Sequence, residues 1–356
     1  MNRLCACVLA VALTALAVPS AAANGPADAP AAVARGVASL LETRYVLPAA
    51  GRRAADVLRA NAAAGTYAGL TQKALAQRLT ADLAPILHDK HVRVSYSETV
   101  LPPEGPDDAT PSAAQAAEFD RFMRERGYGA RRIAHLPGNV AYLDLSMFAD
   151  PGPAADTVVD GFVDAVAYSD VVILDLRRNG GGSAEMVARV LSHFLPPGTH
   201  VNDFVGRGDR DAKVEESTYT TAVPGPRIGV PLYVLTSSRT FSGAEECAYD
   251  VQALHRGVVV GETTGGAANP GGFRRIDDHF EVFVPTKRAR NPITGTNWEG
   301  VGVKPDRDVA ADRALATAYA LALASLPPQT DADARAQLRD IVTKLASMDD
   351  AAILAL

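Results

Sequence analysis

Thr236-Ser237-Ser238-Arg239-Thr240-Phe241-Ser242-Gly243-Ala244-Glu245-Glu246 follows directly on the apolar run Leu232-Tyr233-Val234-Leu235. The run predicts a buried strand, and Gly243 onward predicts a helix. Ser242 therefore stands at the mouth of a strand-to-helix turn. Two readings are open for it. Ser242-x-x-Glu245 fits a capping box. A hydroxyl at a helix N-terminus also lies where a developing anion is stabilised, with the next N–H, that of Gly243, as a natural donor.

Upstream, a second apolar run empties into Asp175-Leu176-Arg177-Arg178-Asn179-Gly180-Gly181-Gly182. Such glycines serve a tight turn, or bare backbone N–H groups that face an anion. A nucleotide cradle is disfavoured, because the Gly-Lys-Ser/Thr ending and dinucleotide spacing are missing.

Around these two blocks the pattern alternates. Candidate strands are Val140–Leu145, Val171–Leu176, Leu232–Thr236, Val258–Gly261 and Phe280–Val284, with helices expected over 155–168, 183–195 and 243–254. The alternation predicts an α/β layer with parallel pairing, whose functional groups gather at strand carboxyl ends. Residues 31–88 predict about three helices, with Leu75, Leu79, Leu83 and Ile86 on one stripe and Thr71 as a cap. A short strand is expected at His91–Tyr96, a proline-rich loop at 102–111 and a helix over 113–126. The expected organisation is a leader at 1–23, a helical domain at 24–88, a connector at 89–136, an α/β core at 137–310 and a helical tail at 311–356.

Arg3, the apolar stretch Leu4–Val18 and Ala21-Ala22-Ala23 read as an export signal, which predicts a periplasmic or secreted protein. Cys5 and Cys7 would leave with it. Cys247 would remain alone, packed as a small hydrophobe. The net charge of −6, without a basic run, argues against nucleic acid and anionic membrane surfaces. No Cys/His spacing suggests zinc, and no metal or cofactor is expected.

Four blocks in order resemble one family. They are Leu174–Ser183, Thr236–Glu246, Val260-Gly261-Glu262-Thr263-Thr264-Gly265-Gly266 and Gly300-Val301-Gly302-Val303-x-Pro305-Asp306. Together they are similar to the tail-specific proteases: carboxyl-terminal processing peptidases, the tricorn core and the interphotoreceptor retinoid-binding protein repeats. The resemblance covers about residues 86–310. It implies a crotonase/ClpP-like α/β core behind an N-terminal helical bundle, and Ser242 as nucleophile.

Processing peptidases pair their serine with a lysine closing the third block. Here that position is Ala267, which accepts no proton, and Lys287 and Lys304 do not match it. Tricorn uses a histidine and a glutamate instead. The matching positions are His91 and Glu299, with His88 as a lesser candidate. The serine that precedes the tricorn histidine is replaced by Lys90. For the oxyanion hole the resemblance implies Gly181 and Gly243. Between His91 and Gly138 there is no room for a PDZ domain of about 80–100 residues. The expected function is an exported serine endopeptidase with a Ser-His-Glu arrangement and a peptide or protein substrate. The rival is a non-catalytic binder of an apolar ligand.

Overall fold

The computed structural model describes residues 29–103, 113–208, 212–226 and 228–356. The expected leader, and all but the first two residues of the proline-rich stretch 102–111, lie outside the described residues. The chain forms two compact units. One holds residues up to 110 with 204–215 and 269–289; the other holds 111–203, 216–268 and 290–356. Two segments of the expected core, 204–215 and 269–289, thus belong to the first unit.

The first unit begins with helices α1 (Ala29–Arg44), α2 (Pro48–Ala63) and α3 (Gln72–Leu87). Pro48 suits the first turn of α2, where its missing N–H has no helical partner anyway. Thr71 caps α3, accepting the Ala74 N–H at 3.3 Å. The stripe Leu75, Leu79 and Leu83 is buried with Val37 and Leu41 of α1 and Leu58 of α2. Each such leucine contributes about 1.5–3 kcal/mol by leaving water.

Strand β1 (Val94–Tyr96) is shorter than the sequence suggests. His91 and Val92 lie in a turn instead. The Asp89 carboxylate accepts the His91 N–H at 3.0 Å, and the Asp89 carbonyl accepts the Val92 N–H at 3.2 Å. That local competition with strand pairing is what Asp side chains offer.

The second unit opens with α4 (Ala113–Glu125), β2 (Ala130–Leu136), β3 (Val140–Leu145), α5 (Pro153–Asp164), β4 (Val171–Asp175) and α6 (Ala184–Ser192). Within β5 (His200–Val205) the chain passes to the first unit, and within β6 (Val214–Tyr219) it returns. Then come β7 (Leu232–Thr236), α7 (Gly243–Ala253) and β8 (Val258–Gly261). β9 (Gly271–Arg275) and β10 (Phe280–Pro285) belong to the first unit, and the chain leaves it within β11 (Arg288–Arg290). The chain closes with β12 (Arg307–Asp308), α8 (Ala314–Ser325), α9 (Ala332–Lys344) and α10 (Asp350–Ile353).

The second unit is built on a six-stranded sheet of order β12-β8-β7-β4-β3-β2. All pairs are parallel except β2 with β3. Strands β3, β4 and β7 are buried along their whole length, as a sheet covered on both faces requires. Tyr142, Ile173 and Leu235 pack with Leu315, Tyr319 and Ile341 of the C-terminal helices. Register places Asp175 opposite Leu235 and Thr236 opposite Gly261. The carboxyl ends of β4, β7 and β8 are therefore level, and the turns that follow them emerge on one edge.

Two expectations need correction. The run Phe280–Val284 was expected among parallel strands; β10 pairs antiparallel with β1 and β9 in the first unit. An apolar run alone does not choose its sheet. The connector 89–136 also ends in an unforeseen strand, β2, at the sheet's edge, where Arg131, Arg132, Ile133 and His135 are exposed.

Candidate active site

In the second unit the Thr236–Ser242 turn is stitched to the end of β4. Ser237 Oγ donates to the Arg177 carbonyl at 2.6 Å, and Thr240 Oγ1 donates to that of Leu176 at 2.8 Å. The Phe241 N–H reaches the Asn179 carbonyl at 3.1 Å. These bonds deliver Ser242 with φ 53° and ψ −124°. An N-cap residue has extended backbone with negative φ. A non-glycine residue held at positive φ is strained, and such strain is concentrated at functional turns. Ser242 thus closes a capping box with Glu245, at a positive φ that an ordinary N-cap does not use.

The glycine loop lies directly against it. Gly181 has φ 101°, and a Cβ there would stand 2.7 Å from Ser242 Cβ and 2.8 Å from the Gly243 nitrogen. Only glycine permits that approach. The loop is anchored by Phe148, whose N–H donates to the Gly181 carbonyl at 2.8 Å and whose carbonyl accepts the Ser183 N–H at 2.9 Å. The Gly181 N–H, one of two expected oxyanion donors, is engaged elsewhere: it donates to Asn179 Oδ1 at 2.8 Å. Among the described residues no hydrogen bond takes the N–H of Gly243, the other expected donor.

Facing this turn from the same unit is the segment 264–268. The Glu245 carboxylate accepts the Ser242 N–H at 2.9 Å, the Gly266 N–H at 2.5 Å, the Ala267 N–H at 3.0 Å and the Thr264 hydroxyl at 2.5 Å. Burial pushes the Glu245 carboxyl up, and these donors oppose the shift. Ala267 is fully buried, and its carbonyl accepts the Trp298 indole N–H at 2.8 Å. Glu299, the next residue, accepts the Ala268 N–H at 2.5 Å.

His91 belongs to the first unit. It is buried and stacks on Phe283, with centroids 5.5 Å apart. Burial, followed by the charge of Arg93, depresses its pKa to about 4, so the ring is neutral at neutral pH. Its Nδ1 lies 3.7 Å from Asp89 Oδ1. Asp89 also accepts the Tyr45 hydroxyl at 3.1 Å and the Asn269 amide at 2.9 Å. Sequence reasoning passed over Asp89; its place two residues before a candidate histidine was the available signal. Burial pushes its carboxyl up against the hydrogen bonds from Asn269, the His91 N–H and Tyr45.

His88 is exposed at the left-handed end of α3, and Lys304 is exposed. Cys247 is fully buried on α7, and burial pushes its thiol well up, which makes it an inert core residue.

Ser242 thus stands on a strained strand-to-helix turn, pressed against a glycine loop at the carboxyl edge of a parallel sheet. Comparison with known proteins gives the family. The profile of peptidase family S41 matches residues 139–309, and that of the N-terminal domain of peptidase S41 in eukaryotic IRBP matches 14–126. The chain belongs to peptidase family S41. It is similar to the carboxyl-terminal-processing peptidase 2 of Arabidopsis thaliana chloroplasts, 27% identical over 183 residues. That match covers 49% of this chain and 34% of the relative, so it spans about a third of the relative's length. Two solved structures share the fold. A lipoprotein from Streptococcus agalactiae has a TM-score of 0.53 at 14% identity, over 88% of this chain and all of its own. Mature CPAF has a TM-score of 0.54 at 12% identity, over 92% of this chain and 99% of its own.

Proposed function

We propose that the protein is an exported serine endopeptidase that cleaves peptide bonds through an acyl-enzyme. The observation that carries this reading is the strained Ser242 turn against the Gly181 loop. Ser242 Oγ attacks the scissile carbonyl. His91 takes the hydroxyl proton and returns it to the leaving amine; water then repeats the cycle in reverse. Glu299 orients the imidazole and stabilises it when charged. The Gly243 N–H donates to the oxyanion. The Gly181 N–H joins it once Asn179 releases that bond.

Within the first unit the Asn269 amide donates to the Asp89 carboxylate. Asp89 in turn fixes the His91 backbone. The buried imidazole is neutral, and with its pKa depressed to about 4 it is a weak base until the Glu299 carboxylate stabilises its charged form. The substrate is a peptide or protein. Export rests on the apolar leader at the N-terminus. Among the described residues no helix is long and apolar enough to cross a membrane.

The binder reading stands second, on one observation. The first unit carries a groove of about 440 Å³ between α1, α3 and the β9–β10 hairpin, within the size range of small-molecule sites. Arg275, Asp277, Asp278 and His279 line it together with Val33, Leu75 and Phe280, which gives it a charged rim. Incubation with an unfolded protein and a quenched peptide library, with products read by mass spectrometry, separates the readings. Internal cuts that vanish in Ser242→Ala support the peptidase. No turnover, with apolar-dye binding indifferent to Ser242→Ala, supports the binder.

A further inference from the structure

We propose that Glu245 is a positioning residue that locks the nucleophile and the Glu299 segment to one another. The inference rests on the peptidase reading above and adds a role to the same site. A helix cap would need Glu245 only for the Ser242 N–H. Three of its four hydrogen bonds instead leave α7 for residues 264–267.

The arrangement is saturated. A carboxylate has two oxygens and about four acceptor positions. Oε2 takes the N–H groups of Ser242 and Ala267, while Oε1 takes the N–H of Gly266 and the hydroxyl of Thr264. Glu245 is fully buried, so each donor it releases would be left without water. The next amide along, that of Ala268, goes to Glu299 at 2.5 Å. Three consecutive N–H groups, 266 to 268, are therefore divided between two carboxylates. One of these grips the nucleophile's own backbone. Thr264 Oγ1 extends the clamp by accepting the Val303 N–H at 2.7 Å, and the Gly266 carbonyl does so by accepting the Gly300 N–H at 3.1 Å. The backbone that follows Glu299 thus answers to the same group that fixes Ser242.

Glutamine at this position keeps the shape but turns an NH2 toward two N–H donors. Ser242 and Glu299 then lose their common reference. The test compares wild type with Glu245→Gln by kcat, KM and amide exchange at Gly266, Ala267 and Ala268. In folded protein, kcat should fall about 100-fold, the scale of a misplaced reacting group. KM should stay within about twofold, because the loss is confined to the transition state. Exchange at the three amides should accelerate. An unchanged kcat, or unchanged exchange, overturns the inference. Should Glu245→Gln fail to fold, Thr264→Val keeps the carboxylate and removes one donor; a wild-type kcat there overturns it equally. A wild type that turns over no peptide refutes the peptidase reading instead, and exchange then decides the clamp alone.

Discussion

Asp89 Oδ1 accepts the His91 backbone N–H at 3.0 Å and lies 3.7 Å from the ring Nδ1. The same carboxylate collects Tyr45 and Asn269. Asp89→Asn removes one acceptor and leaves a buried donor unmatched. The expected cost is about 1–3 kcal/mol in stability. Because the imidazole would lose its seat, kcat should fall more than KM rises. Urea unfolding and steady-state kinetics check both; wild-type values in both would dismiss Asp89 as an ordinary turn residue.

His91 also sets a pH signature. In the unfolded chain its pKa returns to about 6.5, while in the folded protein it is depressed to about 4. The unfolded state therefore binds the extra proton between these values. Stability from this group is present above pH 6.5 and is lost as pH falls toward 4, by about 3 kcal/mol. His91→Gln should flatten that limb. Parallel wild-type and mutant stability curves between pH 4 and 7 would contradict the assignment.

Glu246 and Asp250, one turn apart on α7, are buried together and shift the opposite limb. Burial, reinforced by the charge of Glu185 and opposed by Asn202, pushes Glu246 up to about 8. Burial and the charge of Glu246 push Asp250 well up, against its hydrogen bond from Asn291. For Glu246 the unfolded carboxyl ionises near 4.5 while the folded one keeps its proton. Stability from this group is complete below 4.5 and declines as pH rises through 8, on the order of a few kcal/mol. Glu246→Gln should gain relative to wild type at pH 8 over pH 5 in urea titrations. Identical pH slopes would refute the buried, protonated state.

Gly181→Ala probes the loop. The added methyl would meet Ser242 Cβ and the Gly243 nitrogen, at a φ of 101°. The expected loss is about 1–3 kcal/mol from backbone strain, together with loss of serine reactivity as the turn shifts. A fully stable, fully reactive Gly181→Ala would show that the loop does not touch Ser242.

Much of this site was readable from residue order alone, and the unreadable part has a common cause. Leu232–Thr236 and Val258–Gly261 run over the residues expected, because continuous apolar runs bounded by Gly and Thr leave little freedom. Ser242, Gly181 and Gly243 do meet, since their turns leave neighbouring parallel strands. The direction of the Gly181 N–H was not readable, because it depends on which way the Asn179 amide points. Glu245 read as half of a capping box, and its bonds to Thr264, Gly266 and Ala267 are long-range. Asp89 acts through a turn that its own side chain creates, where alternation suggested a strand. The sheet chosen by Phe280–Pro285 likewise follows from tertiary pairing.

The most direct measurement is the labelling rate with a fluorophosphonate, which requires an activated serine but no knowledge of the substrate. Wild type should label stoichiometrically at Ser242. Ser242→Ala should not label, and His91→Ala should label slower by about 100-fold or more, the usual scale of a lost general base. Equal labelling of all three proteins, or wild-type label on another residue, would contradict the account.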